Sequence, residues 1–268
     1  MPKMDEPKPR ERHKLAFDWL PAGCQRVLDG GCAFGSGTAP LAAKAAHVCG
    51  CDPNPELIAR ARESYPTLSF EACSLEKTPY ANESFDAVTL IDVLEHVADE
   101  RATLNELFRV LKPGGCLIIT TPHKGLFAFM DPDNYAWHLR TKFPRLYRRL
   151  FRMKHGRDPS PKVGYESEHR HYSLNDLVGL LEASAFKRHY EVERVFRGGL
   201  FWYALASNLY EGLSILAGTG FAGRLLRPLA KLSDWDYFIG YGRFSYNIGI
   251  RVKKMDGDRA KNTPRTRV

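Results

Sequence analysis

The stretch Val27-Leu-Asp-Gly-Gly-Cys-Ala-Phe-Gly-Ser-Gly-Thr38 restricts the chain more than any other. Its first residues read as the end of a buried strand. A glycine-dense turn follows, and then Ala39-Pro-Leu-Ala-Ala-Lys-Ala-Ala46, which has helix composition. Strand, tight loop and helix start in that order mark the place where an α/β fold receives a nucleotide-like ligand. Gly31 and Gly35 let the backbone approach such a ligand with no Cβ in the way. The spacing is not the dinucleotide pattern G-x-G-x-x-G, because Cys32 stands where its second glycine belongs. A nicotinamide dehydrogenase is therefore disfavoured at the outset.

At these residues the chain resembles the class I S-adenosylmethionine (SAM) dependent methyltransferases, whose motif runs from a strand into Asp/Glu-x-Gly-x-Gly-x-Gly. Asp29, Gly31 and Gly35 fall on that motif, while Ala33 replaces its middle glycine and Gly30 a usual aliphatic residue. The resemblance implies an α/β, Rossmann-like fold: a seven-stranded, mostly parallel sheet with helices on both faces. It also implies SAM as cofactor, held at Asp29, Gly31, Cys32 and Gly35.

The rest of the pattern follows in order. Arg10 to Leu20 places Leu15, Ala16, Trp19 and Leu20 at helical spacing before Pro21 and Gly23 stop it. His47 to Asp52 reads as a second strand ending in an acid roughly 20 residues after the first motif, where such folds hold ribose hydroxyls. Asp52, followed by Pro53, is thus the candidate ribose ligand; an Asp there can equally make a turn or cap the next helix, with Glu56 close behind. Pro55 to Ser64 reads as a helix and Leu68 to Ala72 as a short strand. The family usually places an adenine-binding Asp just beyond. Ser74 occupies that place, with Leu75 beside it to offer a backbone N–H and an apolar wall. Phe85 to Ile91 is the fourth strand, Glu100 to Leu111 a helix, and Lys112-Pro-Gly-Gly115 its stop before the fifth strand, Cys116 to Thr121. The resemblance covers about residues 10 to 121.

Beyond Pro122 the fold needs one more helix and two antiparallel strands, supplied by residues 171–186, 188–196 and 245–252. A chain of 268 residues with 44% hydrophobic residues reads as one domain, 1–268. Two stretches, 122–170 and 197–242, are left over as insertions on the substrate side, and they are expected to set substrate choice. Residues 255–268 form a polar, basic tail without expected order.

Charge and cysteine content narrow the partners. The net charge is +8, with much of the surplus between Lys142 and Lys162 and after Arg251, which points to anionic partners. The six cysteines at 24, 32, 49, 51, 73 and 116 show no C-x-x-C pair or metal-finger spacing, so reduced, buried thiols are expected. Cys49-Gly-Cys51 is the pair with any redox interest. The charged, proline-rich N-terminus does not read as a signal peptide or anchor, and a cytoplasmic protein is expected.

In the first insertion Phe143, Leu146, Tyr147, Leu150 and Phe151 recur at helical spacing among Lys142, Arg145, Arg148, Arg149, Arg152 and Lys154. Such a basic amphipathic helix can lie peripherally on an anionic inner-membrane face, close over an anionic substrate, or pack on its own domain. The second insertion carries one charge, Glu211, between Gly198 and Gly223. It reads as a helical pair forming a hydrophobic lid or dipping into a membrane interface, or as a packing layer or dimer face.

Methyl transfer from a sulfonium is an in-line displacement, so the protein mainly aligns the reactants in a dry site. An oxygen nucleophile also needs a base or a metal to remove its proton. Asp92, Glu95 and His96 follow the fourth strand and would share a face at the start of a helix. They resemble the Glu-x-x-Glu-His cluster of metal-dependent 2'-O-methyltransferases of small RNAs and of ubiquinone-pathway O-methyltransferases. The resemblance implies a Mg-like divalent ion at Asp92, Glu95 and His96, with a later histidine from Glu168-His-Arg-His171, and Asp92 also beside the cofactor. Without a metal, His96 is a structural contact or a base, and His123 and His171 are the alternative general bases. The acceptor class drawn from the insertions is a lipid, a lipid-linked glycan or another amphipathic molecule. A soluble small metabolite, RNA, or SAM binding without catalysis are the competing readings. RNA is disfavoured because aromatic residues are not interleaved with the basic ones.

Overall fold

The computed structural model describes residues 11–126, 128, 138–156, 158, 170–199 and 201–256. Helix α1 (Glu11–Trp19) buries Leu15, Ala16 and Trp19 and leads into strand β1 (Cys24–Gly30). In β1, Val27 and Leu28 are fully buried, as expected of a strand covered on both faces. A 3-10 turn (Ala39–Ala43), β2 (Ala45–Asp52), α2 (Pro55–Ser64) and β3 (Ser69–Ala72) follow. Next come β4 (Phe85–Ile91), α3 (Glu100–Val110) and β5 (Leu111–Pro122). Later in the chain lie α5 (Leu174–Glu182), β6 (Tyr190–Gly198) and β7 (Asn247–Lys254), after α4 (Pro144–His155) in the first insertion.

The strands form one seven-stranded, mostly parallel sheet in the order β3-β2-β1-β4-β5-β7-β6. The β1–β2, β1–β4, β2–β3 and β4–β5 pairs are parallel. Chain direction across the sheet reverses between β1 and β4, and folds of this kind place their ligand crevice at the carboxyl ends of such strands. This is the Rossmann-like arrangement expected from the sequence.

Local chemistry fixes the element ends. Asn54 caps α2, its Oδ1 accepting from Glu56 N at 2.9 Å and Leu57 N at 3.3 Å. Asp99 caps α3 through Ala102 N at 2.9 Å. Leu104 and Leu107 of α3 are buried, each contributing about 1.5–3 kcal/mol.

Two expectations are corrected. The run Ala39–Ala46 is not an α-helix: a five-residue 3-10 turn ends at Ala43, and Ala45 already pairs with Cys24 in the β1 ladder. Pro40 lacks the N–H a second turn would use, and the early start of β2 leaves no room for one. Residues 92–96 likewise do not open a helix. They lie in a turn, and α3 begins at Glu100.

The chain divides into two compact units. Unit 1 comprises 1–121, 174–196 and 249–268; unit 2 comprises 122–173 and 197–248, that is, the two insertions with short flanks. In unit 2 the second insertion holds three helices rather than a pair: α6 (Phe201–Ala217), α7 (Thr219–Leu225) and α8 (Arg227–Tyr237). Gly218 at φ +85° separates α6 from α7. Helix α6 packs on α4, α7 and α8, with Ser214, Ala222 and Tyr237 buried. Among the described residues no helix is long and apolar enough to cross a membrane. The basic tail falls outside the described residues from 257 onward.

Candidate active site

The site-bearing residues of unit 1 gather where β1, β2, β3 and β4 end. Asp29, near the end of β1, is 5% exposed and accepts two hydroxyl hydrogen bonds, from Thr38 Oγ1 at 2.6 Å and Thr89 Oγ1 at 2.7 Å. Burial raises its carboxyl above the ordinary range, while the two hydroxyls and nearby His13 pull the other way. Asp29 therefore ties the far end of the glycine loop back to β1 and β4.

The loop itself is tightly bonded. Gly31 N and Cys32 N donate to Cys51 O at 2.7 and 3.0 Å, Ala33 N to Asp52 Oδ2 at 3.1 Å, and Gly35 N to Cys32 O at 2.9 Å. Asp52 Oδ1 accepts from Asn54 N at 2.9 Å, an Asx turn. Both sequence readings of Asp52 are thus partly answered: it makes the turn, Asn54 makes the cap, and lone pairs remain on the carboxylate. The Cys32 side chain is packed away with Ile58, Ala61 and Phe70, so only its main chain borders the crevice. Pro53 continues the β2 turn into α2.

Ala33 holds φ +46°, the left-handed conformation that the motif's glycine would adopt without strain. Ala33→Gly is expected to stabilise the chain by about 0.5–1 kcal/mol, the relieved strain exceeding the added chain entropy. A urea titration with an unchanged slope and a higher midpoint would bear this out; an equal or lower midpoint would not.

Gly30 matters for a different reason. A Cβ there would lie 2.7 Å from Leu90 Cδ2 and 2.9 Å from Leu75 Cδ2. The glycine admits Leu75, 4% exposed, as an apolar wall beside the loop. Ser74 Oγ donates to the Glu76 carboxylate, whose other oxygen accepts from Ala98 N at 3.2 Å and Asp99 N at 3.4 Å. The segment after β3 is thereby pinned to the turn before α3.

Asp92, directly after β4, holds φ +52°. Its N donates to Thr120 O at 3.0 Å, its Oδ1 accepts from Thr120 Oγ1 at 2.9 Å, and its Oδ2 pairs with Arg12 Nε at 2.9 Å. Glu95 is 1% exposed and accepts from Thr121 Oγ1 at 3.0 Å. His96, half-buried, donates its main-chain N–H to Val93 O at 2.9 Å. The expected metal set of Asp92, Glu95, His96 and His171 is not assembled. Among the described residues no group of three His, Cys, Asp or Glu side chains is placed to hold an ion. The reason is local: Asp92 is committed to Arg12 and Thr120, and Glu95 to Thr121. Glu168 and His169 lie outside the described residues.

Arg12 and His13 are contributions that sequence reasoning missed, because α1 was read only for its apolar face. Its polar face was the available signal, an Arg–His pair directly before the buried stripe. The His13 ring sits where a Cβ on Gly37 would come within 2.4 Å of its Cδ2. Burial lowers the His13 pKa, helped by Arg12 and opposed by Asp29 and Asp92. From pH 6.5 down to that lowered value the unfolded chain takes a proton that the fold refuses, so this stability falls as pH falls. Asp29, raised in the fold, acts with opposite sign at lower pH. The stability advantage of the native chain over a His13→Asn variant should therefore shrink between about pH 7.5 and about pH 5.5 in urea unfolding. A constant or growing advantage would refute this assignment.

Unit 2 holds the remaining candidates. His123 follows β5, is 6% exposed, and its Nδ1 lies 3.0 Å from Ser245 O. A carbonyl only accepts, so Nδ1 carries the proton and Nε2 presents a lone pair. His123 N donates to Tyr246 O at 2.8 Å, and Tyr172 N, next to His171, donates to Pro122 O at 3.0 Å. Burial lowers the His123 pKa, with Arg197 and His171 adding to the effect against the Ser245 hydrogen bond.

Comparison with known proteins agrees with this architecture. Residues 28–119 match the family described as "Methyltransferase domain". A probable S-adenosylmethionine-dependent methyltransferase of Mycolicibacterium smegmatis is 33% identical over 119 residues, 44% of this chain and 46% of the relative. Ubiquinone biosynthesis O-methyltransferase of Rattus norvegicus is 39% identical over 118 residues, 41% of this chain and 34% of the relative. Demethylmenaquinone methyltransferase of Beutenbergia cavernae is 34% identical over 112 residues, 39% of this chain and 47% of the relative. The chain covers less than half the length of each of these curated relatives. Among solved structures, the YcgJ protein of Bacillus superposes with a TM-score of 0.55 at 17% identity, covering 92% of this chain and 99% of that one. Geranyl diphosphate methyltransferase in complex with SAM gives 0.57 at 12% identity, covering 91% and 84%. These structural likenesses concern the fold. The strand order and the matched stretch together support a class I SAM-dependent methyltransferase domain over residues 28–119.

Proposed function

We propose that the protein is a SAM-dependent O-methyltransferase acting on an amphipathic, lipid or lipid-linked acceptor. The observation that carries the cofactor half is the bonded glycine loop set between Asp29 and Asp52 at the reversal of the sheet. SAM supplies an electrophilic methyl group on a sulfonium. Asp52 accepts from the ribose hydroxyls with its remaining lone pairs, Leu75 forms the adenine wall, and Ser74 with its neighbours borders the adenine edge. Gly31 and Gly35 would let the cofactor lie against the main chain, with the Asp92–Arg12 pair at the end of β4 bordering the same side of the sheet. His123 Nε2 takes the proton of the acceptor hydroxyl, its ring fixed by Ser245 O.

Isothermal titration of SAM and of its demethylated product into the purified chain tests this half. Micromolar binding of both is expected, unchanged by chelator. Absence of binding overturns the cofactor assignment.

The acceptor half rests on unit 2. Phe143, which precedes α4, and Leu146 and Met153 within it are 61%, 46% and 54% exposed beside exposed Arg145, Arg148, Arg149 and Arg152. On the other helices Leu216 and Trp235 are 78% and 64% exposed. Apolar side chains flanked by arginines suit an anionic lipid surface or an amphipathic acceptor. The relatives named for ubiquinone and demethylmenaquinone support the same acceptor class. Co-sedimentation with vesicles containing anionic lipid is expected, and not with neutral vesicles. Reversing Arg145, Arg148 and Arg149 to Glu should weaken it by about tenfold or more, near 1 kcal/mol per charge. Equal binding of both proteins, or none by either, would leave the soluble-metabolite reading as the better one.

A further inference from the structure

We propose that the outward face of α7 and α8 inserts into the headgroup–acyl boundary of an anionic lipid bilayer. This insertion rests on the acceptor reading above and goes beyond it. There, charge on α4 draws the protein to a lipid surface; here, apolar side chains of other helices enter that surface.

Helix α8, Arg227-Pro-Leu-Ala-Lys-Leu-Ser-Asp-Trp-Asp-Tyr237, has inverted polarity. Ser233 is 4% exposed and Asp236 and Tyr237 are fully buried, whereas Leu232 is 42% and Trp235 64% exposed. Pro228, Leu232 and Trp235 follow one another at spacings of four and three residues and so share the outer face, with exposed Arg227 and Lys231 alongside. An ordinary surface helix turns its apolar stripe to the core and its polar residues to water. Here the inner polar face is hydrogen-bonded instead, Asp236 Oδ1 accepting from the Tyr241 hydroxyl at 2.5 Å. Helix α7 repeats the arrangement on a smaller scale: it buries Ala222 and exposes Phe221 and Leu225, one turn apart.

Charge selects what covers this face. The exposed charges of α7 and α8 are Arg224, Arg227 and Lys231, all cationic, while Asp234 is half-buried and Asp236 buried. A second copy docked about a two-fold axis would set these three cations against their own copies. An anionic bilayer complements both parts of the surface, taking the apolar side chains below its headgroups and the cations at its phosphates. Trp235 suits that boundary, with an apolar ring and one N–H to leave in the headgroup layer. At 7 and 11 residues, α7 and α8 are far shorter than the roughly 20 residues that a spanning helix needs, so they lie along the boundary and do not cross it.

The full chain is mixed with vesicles of phosphatidylcholine and phosphatidylglycerol that carry bromine on their acyl chains, and tryptophan quenching is read beside co-sedimentation. Bromine there quenches only a tryptophan that reaches the acyl region. The native chain, with its four tryptophans, is expected to be quenched, whereas Trp235→Leu should co-sediment as the native chain does and lose most of the quenching. Leu232→Asn combined with Trp235→Gln should weaken co-sedimentation by about tenfold or more, with unchanged circular dichroism because both side chains point outward. Vesicle binding by the native chain with the same quenching in Trp235→Leu overturns the insertion and leaves the acceptor reading, through α4, standing. Full binding by the double variant does the same. No vesicle binding by the native chain overturns both. A dimer in light scattering that the double variant disperses, with no quenching by the vesicles, assigns the face to a second copy and overturns the insertion.

Discussion

His123→Gln is expected to slow methyl transfer by about 10²–10⁴-fold, the usual contribution of a positioned base, with SAM affinity within about twofold of the native value. The Gln amide overlays the Nε2 end of the ring and removes the proton acceptor, while His123→Asn, whose Nδ2 overlays Nδ1, keeps the donation to Ser245 O and loses the base as well. Gly125 keeps this neighbourhood tight: a Cβ there would lie 2.7 Å from Arg243 O and Ser245 O and 3.0 Å from His123 Nδ1. Burial holds the His123 pKa below 6.5, so the ring is in its basic form at neutral pH. The acid limb of the rate profile should therefore fall below pH 6.5 in the native chain and vanish in the variant. Single-turnover rates against pH provide the measurement. Native-like rates in the variant would move the role to His171 or His96.

Gly31→Ala is the second large effect, and it concerns binding and stability together. Gly31 sits at φ +72°, where a Cβ costs about 1–2 kcal/mol before any contact is considered. That Cβ would also lie 2.4 Å from Val93 Cγ2 and 2.7 Å from Val93 Cγ1. Val93 is β-branched and follows Asp92, itself at positive φ, so neither side chain nor backbone yields readily. The combined cost should be about 2–4 kcal/mol of stability, and displacement of the loop should weaken SAM by about a hundredfold or more. Thermal unfolding and calorimetric titration read the two effects separately. Unchanged affinity would mean that the cofactor does not lie on this loop.

The sheet was legible because its strands are mostly apolar runs that end in, or run into, acids or glycines. Val27 to Gly30, Val48 to Asp52 and Phe85 to Ile91 each declare a buried parallel strand and the carboxyl end where side chains meet a ligand. Asp29 and Asp52 were found because such ends are few. What local pattern could not carry was commitment between side chains distant in sequence. Asp92, Glu95 and His96 have the composition of a metal site, yet Arg12 and Thr120 claim the first and Thr121 the second. Helical spacing also misled at Ala39–Ala46, where β2 pairing outcompeted alanine propensity. Arg12 and His13 belong to the site only because α1 packs Leu15 close to Gly249, a contact no periodicity reports. The insertions were recognised as surplus to the fold, whereas their gathering into one compact unit depends on contacts separated by the whole of β6.

The bonding of the glycine loop has a bearing on selectivity among adenine compounds. Gly31, Cys32, Ala33 and Gly35 each have their N–H already engaged, by Cys51 O, Cys51 O, Asp52 Oδ2 and Cys32 O. A phosphate arriving here finds none of these four donors free, and it meets the carboxylates of Asp52 and Asp92 instead. Moving one loop amide to a phosphate would leave its present acceptor with one hydrogen bond fewer, a loss of about 0.5–1.5 kcal/mol each. ATP and the nicotinamide dinucleotides, which carry two or more phosphates, are thus disfavoured by the main chain itself, and a cationic, phosphate-free adenosine is the kind of ligand this turn leaves room for.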